Sequence, residues 1–149
     1  MSIAGQCFME NDITIKNFAV LPEDAKDIRT TVFIEEQGFC EEFDDIDNIS
    51  AHLVLYCNNQ PAAVCRFYCE SNQYFIGRLA TLKQYRGSGF GAMLVAEAER
   101  LIKEAGGESV MLHSQCRVMA FYEKAGYVPF GESDFDEACP HQWMKKTLF

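Results

Sequence analysis

Between a strand-like run, Tyr74 to Leu82, and an amphipathic helix stands Tyr85-Arg86-Gly87-Ser88-Gly89-Phe90-Gly91. Glycines without a Cβ let backbone N–H groups come close to a bulky anion. The helix start just behind them adds unpaired donors and the positive end of a dipole. Together these predict a pyrophosphate cradle, with Arg86 as a cation at its lip. A P-loop would close on Gly-Lys-Ser/Thr, whereas here Gly91-Ala92-Met93 follows. A dinucleotide-binding fingerprint would read Gly-x-Gly-x-x-Gly early in a βαβ unit, and this loop is Gly-x-Gly-x-Gly in the second half of the chain.

The helix after the loop presents Leu94, Ala98, Leu101, Ile102 and Ala105 on one face and Glu97, Arg100, Lys103 and Glu104 on the other, ending at Gly106-Gly107. Upstream, Asp12 to Lys16 alternates as a strand. Leu21-Pro22-Glu23-Asp24 opens a helix that runs through Ile28, Val32 and Phe33 and stops near Gly38. The acidic stretch up to Ser50 is predicted as solvated loop with a short helical piece. His52 to Cys57 and Ala62 to Cys69 read as strands joined by a hairpin at Asn58-Asn59-Gln60-Pro61. Downstream come a strand from Ser109 to Ser114, a short helix from Arg117 to Ala125, and strands from Tyr127 to Glu132 and from Trp143 to Leu148. Strands and helices interleave, which gives an α+β or α/β class with a mixed sheet in one domain over residues 1–149.

With 48% apolar and 23% charged residues over 149 positions, the chain is globular in composition. No apolar run reaches the roughly 18 residues of a membrane span. Met1 to Gln6 lacks the basic and apolar regions of a secretory signal, so the expected location is cytoplasmic and no membrane partner is expected. A net charge of −9 argues against a nucleic-acid partner. The seven cysteines (Cys7, Cys40, Cys57, Cys65, Cys69, Cys116 and Cys139) form no Cys-x-x-Cys, and the three histidines stand far apart. Reduced, buried thiols and no metal are the expectation.

Several motifs carry a resemblance. Arg86-x-x-Gly89-x-Gly91 is similar to the acetyl-CoA signature of GNAT-family N-acetyltransferases. Gly77-Arg78-Leu79-Ala80-Thr81 resembles the strand that pairs with the pantetheine arm. Ala120-Phe121-Tyr122-Glu123-Lys124-Ala125-Gly126-Tyr127 resembles the family's second motif. Arg29-x-x-Val32-Phe33-Ile34-Glu35-Glu36-Gln37-Gly38, Leu112-His113-Ser114-Gln115 and Cys139-Pro140-His141 are similar to the ElaA-like branch. One departure is Arg117, where many members carry asparagine.

The resemblance implies an α/β/α-layered fold with a mixed, mostly antiparallel sheet flanked by helices. It implies an acetyl-CoA-dependent N-acetyltransferase acting on a primary amine of a small molecule by direct attack; a homodimer is the family's common habit. Protein or peptide N-acetylation and a non-catalytic CoA-binding regulatory module are the alternatives. The cofactor-binding set is Leu79, Ala80, Thr81, Arg86, Gly87, Ser88, Gly89, Phe90, Gly91, Ala92 and Tyr122. Tyr122 is the expected acid for the leaving thiolate, and His113 and Glu36 are candidate bases. Glu35, Gln37 and His141 are expected beside the acceptor. Phe39, Phe43, Tyr56, Phe67, Phe135 and Trp143 are candidates for an aromatic acceptor pocket or for core.

Overall fold

Two apolar cores lie on opposite faces of one sheet, and strand alternation decides which side chain joins which. The computed structural model describes residues 11–40 and 42–149. Strand β1 (Ile13–Phe18) leads into α1 (Glu23–Arg29), which widens into a π-helical continuation, Thr30–Glu36. After a 3₁₀ turn at Asp45–Ile49 come β2 (Ala51–Cys57), β3 (Gln60–Glu70) and β4 (Gln73–Thr81). Then follow α2 (Phe90–Glu104), β5 (Ser109–Gln115), α3 (Met119–Lys124), β6 (Val128–Pro129), β7 (Asp134–Asp136) and β8 (Cys139–Thr147). The sheet order is β1-β2-β3-β4-β5-β8-β6, with β7 also on β8; among the described strands only β4 and β5 run parallel. This is the mixed, mostly antiparallel sheet flanked by helices that the resemblance implied.

Leu53, Leu55, Cys65, Phe67, Val110, Leu112 and Met144 point toward α2 and α3. Val54, Val64 and Ala80 point the other way and pack on Ala25, Ile28, Val32 and Phe33 of α1. Helix α1 packs mainly on β2, β3 and β4. Among the described residues, no α-helix packs to that extent on the half of that face formed by β5 and β8.

Two irregularities shape the centre of the sheet. Between Val64 and Arg66 the β3–β4 register slips by one residue, and Arg78 there takes a positive φ of 52°. An extra residue on one strand bends it and strengthens its twist. On its other side β4 pairs with β5 only at Tyr74↔Val110 and Phe75↔Met111. Beyond Phe75 the two strands part, and the backbone groups on that edge of β4 lose their ladder partner.

Some sequence expectations need correction. The predicted strand Tyr127 to Glu132 shrinks to Val128–Pro129, and β7 arises where none was predicted. Strand β8 begins at Cys139 rather than Trp143, so Asp136 and His141 belong to a hairpin turned at Glu137 and Ala138, both at positive φ. Alternation in β7 is too short to show in sequence; pairing with the long β8 creates it.

The acidic stretch is not simply solvated. Glu42 and Asp47 are 5% and 7% exposed and pair with Arg29, itself 1% exposed. Arg66 bonds Asp44 at 2.7 Å and Asp47 at 2.8 Å, and Arg78 reaches Glu42 at 2.9 Å. A signal was available. Arg29 sits one helical repeat after Ala25, on the apolar face of α1, and Arg66 stands among the apolar residues of β3. A charge at a core-facing position requires a buried counter-charge. Six cysteines among the described residues are unbridged; Cys57 and Cys65 are buried, Cys40 and Cys69 exposed, and Cys116 and Cys139 in between, so burial is not general. Cys7 lies outside the described residues.

Candidate active site

The glycine loop and the parted strands share one cleft. It has a volume of about 910 Å³ and runs from Arg86, Gly87, Gly89, Gly91 and Ala92, past Leu79, Ala80 and Thr81, to Tyr122. Gly87 and Gly89 adopt φ of +86° and +82°, with open space where a Cβ would stand. A side chain at either would be strained and would fill the cradle. Gly91 has a different reason: its Cβ would come within 3.3 Å of the Phe121 ring, so its smallness lets α2 approach α3. Gly89 begins α2 without a side-chain cap, which leaves the first N–H groups of the helix for an anion. Phe90 contributes backbone only, because its ring is buried in the core; Ser88 does not line the cleft.

Arg86 lies at the lip as expected, but its guanidinium is engaged. It meets both oxygens of Glu36 at 2.6 and 2.7 Å and donates to the carbonyl of Thr81 at 2.9 Å. The hydrogen bond from Arg86 holds the Glu36 carboxyl below its usual range. A carboxylate so paired is a weak base.

Tyr122 is 9% exposed on α3, with Phe121 edge-on at 5.0 Å and Tyr127 at 6.0 Å. Burial raises its phenol well above the ordinary value, so it is protonated at neutral pH. It borders both the large cleft and a narrower cavity of about 150 Å³ lying where β4 and β5 part. The far wall of that gap holds His113 and His141. Beyond it opens a third space of about 600 Å³ on the uncovered face, reached past His113, Asp136 and Trp143. The narrow cavity shares Leu79 and Tyr122 with the glycine-loop cleft and His113 and His141 with this mouth, so the three spaces adjoin in a row, a passage from the glycine loop to the mouth.

His113 lies in the passage, away from the glycine loop. Its Nε2 is 2.7 Å from Asp134 Oδ1 on β7, a partner that sequence reading missed, and its ring stacks between Trp143 at 4.7 Å and His141 at 4.6 Å. With Asp134 ionised, Nε2 carries the shared proton and Nδ1 the lone pair. Nδ1 of His141 donates to the carbonyl of Cys139 at 2.9 Å. Gln37 accepts a bond from Gln115 at 2.8 Å, and Gln115 accepts one from Arg117 at 2.9 Å, a chain that ties the end of α1 to the end of β5. Glu35 lines none of these spaces. Of the aromatic candidates, Phe39, Phe43 and Trp143 border the passage; Phe67 is core, Tyr56 packs beneath α1, and Phe135 is exposed.

The family model described as an acetyltransferase (GNAT) domain matches residues 19–148. The chain belongs to the GNAT acetyltransferase family. YjcF of Bacillus subtilis, an uncharacterised N-acetyltransferase, is 31% identical over 127 residues, which span 83% of this chain and 91% of YjcF. The crystal structure of an N-acetyltransferase from Lactobacillus plantarum superposes with a TM-score of 0.85 at 29% identity, covering 92% of this chain and 99% of that one. Escherichia coli ElaA superposes at 0.80 with 22% identity over 91% and 99% of the two chains, a likeness of fold. A Bacillus anthracis protein assigned as a streptothricin acetyltransferase, solved with acetyl-CoA, shares the fold at a TM-score of 0.59 and 23% identity, over 66% of this GNAT chain and 62% of its own.

Proposed function

We propose that this GNAT protein transfers the acetyl group of acetyl-CoA to a primary amine of a small molecule by direct attack. The observation that carries the reading is the passage itself: an anion cradle at one end, an open mouth at the other, and Tyr122 and His113 along the gap between them. The two open-backed glycines and the uncapped start of α2 suit a pyrophosphate. The Bacillus anthracis protein of the same fold holds acetyl-CoA.

Bound acetyl-CoA supplies an activated thioester carbonyl. The chain supplies the rest. An alkyl ammonium, with pKa near ~10, must lose a proton before it can attack. His113 Nδ1 takes that proton, and Asp134 orients the ring and offsets the imidazolium charge. The N–H of Leu79, on the bulged edge of β4, stabilises negative charge on the carbonyl oxygen. As the C–N bond forms and the C–S bond breaks, Tyr122 donates to the departing sulfur. The nitrogen sheds its second proton to solvent, which leaves the amide, the free thiol and one net proton.

Tyr122→Phe tests the reading, with thiol release measured against a panel of amines. The ring and its packing survive, so CoA affinity holds while kcat falls by roughly 10²–10⁴. Turnover at the parent rate would assign proton delivery to another group, and silence of the parent protein with every amine would remove the transferase reading.

A further inference from the structure

Five ring contacts join six side chains into one belt across the uncovered face. Tyr68 on β3 stacks on Phe75 of β4 at 5.1 Å, and Phe75 meets Trp143 of β8 edge-on at 6.1 Å. Trp143 stacks on His113, His113 on His141, and His141 meets Phe39 edge-on at 6.5 Å. Cross-strand pairs Tyr68↔Phe75 and His113↔Trp143 put these rings on the same side of the sheet as Arg66, the side that α1 leaves bare beyond β4. The belt floors the mouth from its outer end to the gap.

Charge decides what the belt receives. Four carboxylates, Glu42, Asp44, Asp136 and Glu137, face two guanidiniums, Arg66 and Arg78, around this space. Both guanidiniums are engaged: Arg66 by Asp44 and Asp47, Arg78 by Glu42 and Asp44. Arg66 Nε, buried without a hydrogen-bond partner, is closed off from the mouth by its own burial. Arg29, Arg66 and Arg78 balance Glu42, Asp44 and Asp47, so the network has no cation to spare for a substrate carboxylate and the negative excess lies on the hairpin. The β7–β8 hairpin sets Asp136 and Glu137 on the rim, Glu137 accepting from the Cys40 N–H at 2.7 Å, while Asp134 of the same hairpin is held by His113. An aromatic floor under a net negative rim attracts an organic cation by both the ring faces and the field.

We propose that the acceptor is a diamine or polyamine, one amine entering the gap at His113 while a second, still an ammonium, rests on the belt under the hairpin carboxylates. This rests on the acetyl-transfer reading above and deepens it by naming the acceptor. Three probes of one chain length isolate the second charge: 1,6-diaminohexane, hexylamine and 6-aminohexanoate. Calorimetric titration of each into the protein saturated with CoA reads the mouth directly, whether or not turnover occurs. The diamine is expected to bind about tenfold or more tightly than hexylamine, with 6-aminohexanoate weakest, and kcat/KM for thiol release should follow the same order. Asp136→Asn, at an exposed hairpin position, should bring the diamine-to-hexylamine ratio toward one, and the CoA-induced rise in Tm checks that the variant is folded. Equal affinity for diamine and hexylamine, or no binding of the diamine, would overturn the proposal. Failure of the transferase reading looks different: no thiol is released from any amine, and the titrations still decide the specificity of the mouth.

Discussion

Asp47→Asn tests the buried network beside the proposed acceptor mouth, and its magnitude follows from the structure. Asp47 accepts from Arg29 at 2.8 and 3.1 Å and from Arg66 at 2.8 Å. Burial raises its carboxyl, but the bonds and charges of the two guanidiniums outweigh that and take it from 3.8 to about 2. At roughly 1.36 kcal/mol per pH unit, that difference contributes about 2.4 kcal/mol to stability at neutral pH. The folded value lies below the unfolded one, so the contribution is complete above about pH 4 and is lost as pH falls toward 2; at pH 3 about 1.3 kcal/mol remains. Asparagine removes the anion and leaves two buried guanidiniums short of a partner, a change that costs several kcal/mol when nothing compensates. Asp44 and Glu42 compensate in part, so about 2–3 kcal/mol is expected at pH 7, or roughly 5–10 °C in Tm for a chain of this size. Thermal unfolding followed by circular dichroism at pH 7 and pH 3 measures both the gap and its narrowing in acid. Because Glu42 and Asp44 border the mouth and no member of the network borders the glycine-loop cleft, the variant should raise the acceptor KM and leave CoA affinity unchanged. A midpoint within 1 °C of the parent, or a gap that is the same at both pH values, would refute the argument.

Gly89→Asp should abolish the CoA-dependent rise in Tm, because it combines a left-handed backbone penalty with a negative charge where the proposed cradle would receive the pyrophosphate; a preserved shift would place the cofactor elsewhere. Glu36→Gln releases Arg86 from its ion pair and removes a nearby anion. CoA should then bind more tightly by up to about fivefold, the scale of an exposed pair, and weaker binding in calorimetry would show that Glu36 positions Arg86 productively. His113→Ala should lower kcat/KM by roughly 10²–10⁴ and recover in part with added imidazole. A loss that imidazole does not relieve would mean that the ring chiefly supports Trp143 and His141.

Local chemistry was enough to locate the glycine turn. Gly87, Gly89 and Gly91 before an amphipathic helix define a strand-to-helix turn with free donors, and the structure adds only that the third glycine answers to the Phe121 ring. Most strands, α1 and α2 followed from periodicity, because each buries one apolar face over many residues. The order of the motifs along the chain carried the family, since each keeps its place relative to the others. What the sequence could not supply came from pairings distant along the chain. Asp134 reaches His113 only because three residues of β7 lie on β8, and so short a strand has no periodicity of its own. Glu42, Asp44 and Asp47 look like a solvated acidic run until Arg29, Arg66 and Arg78, from a helix and two strands, close around them. The passage exists because β4 bulges at Arg78 and leaves β5 beyond Phe75. A gap between two strands is a property of their pairing, which neither strand's residues encode alone.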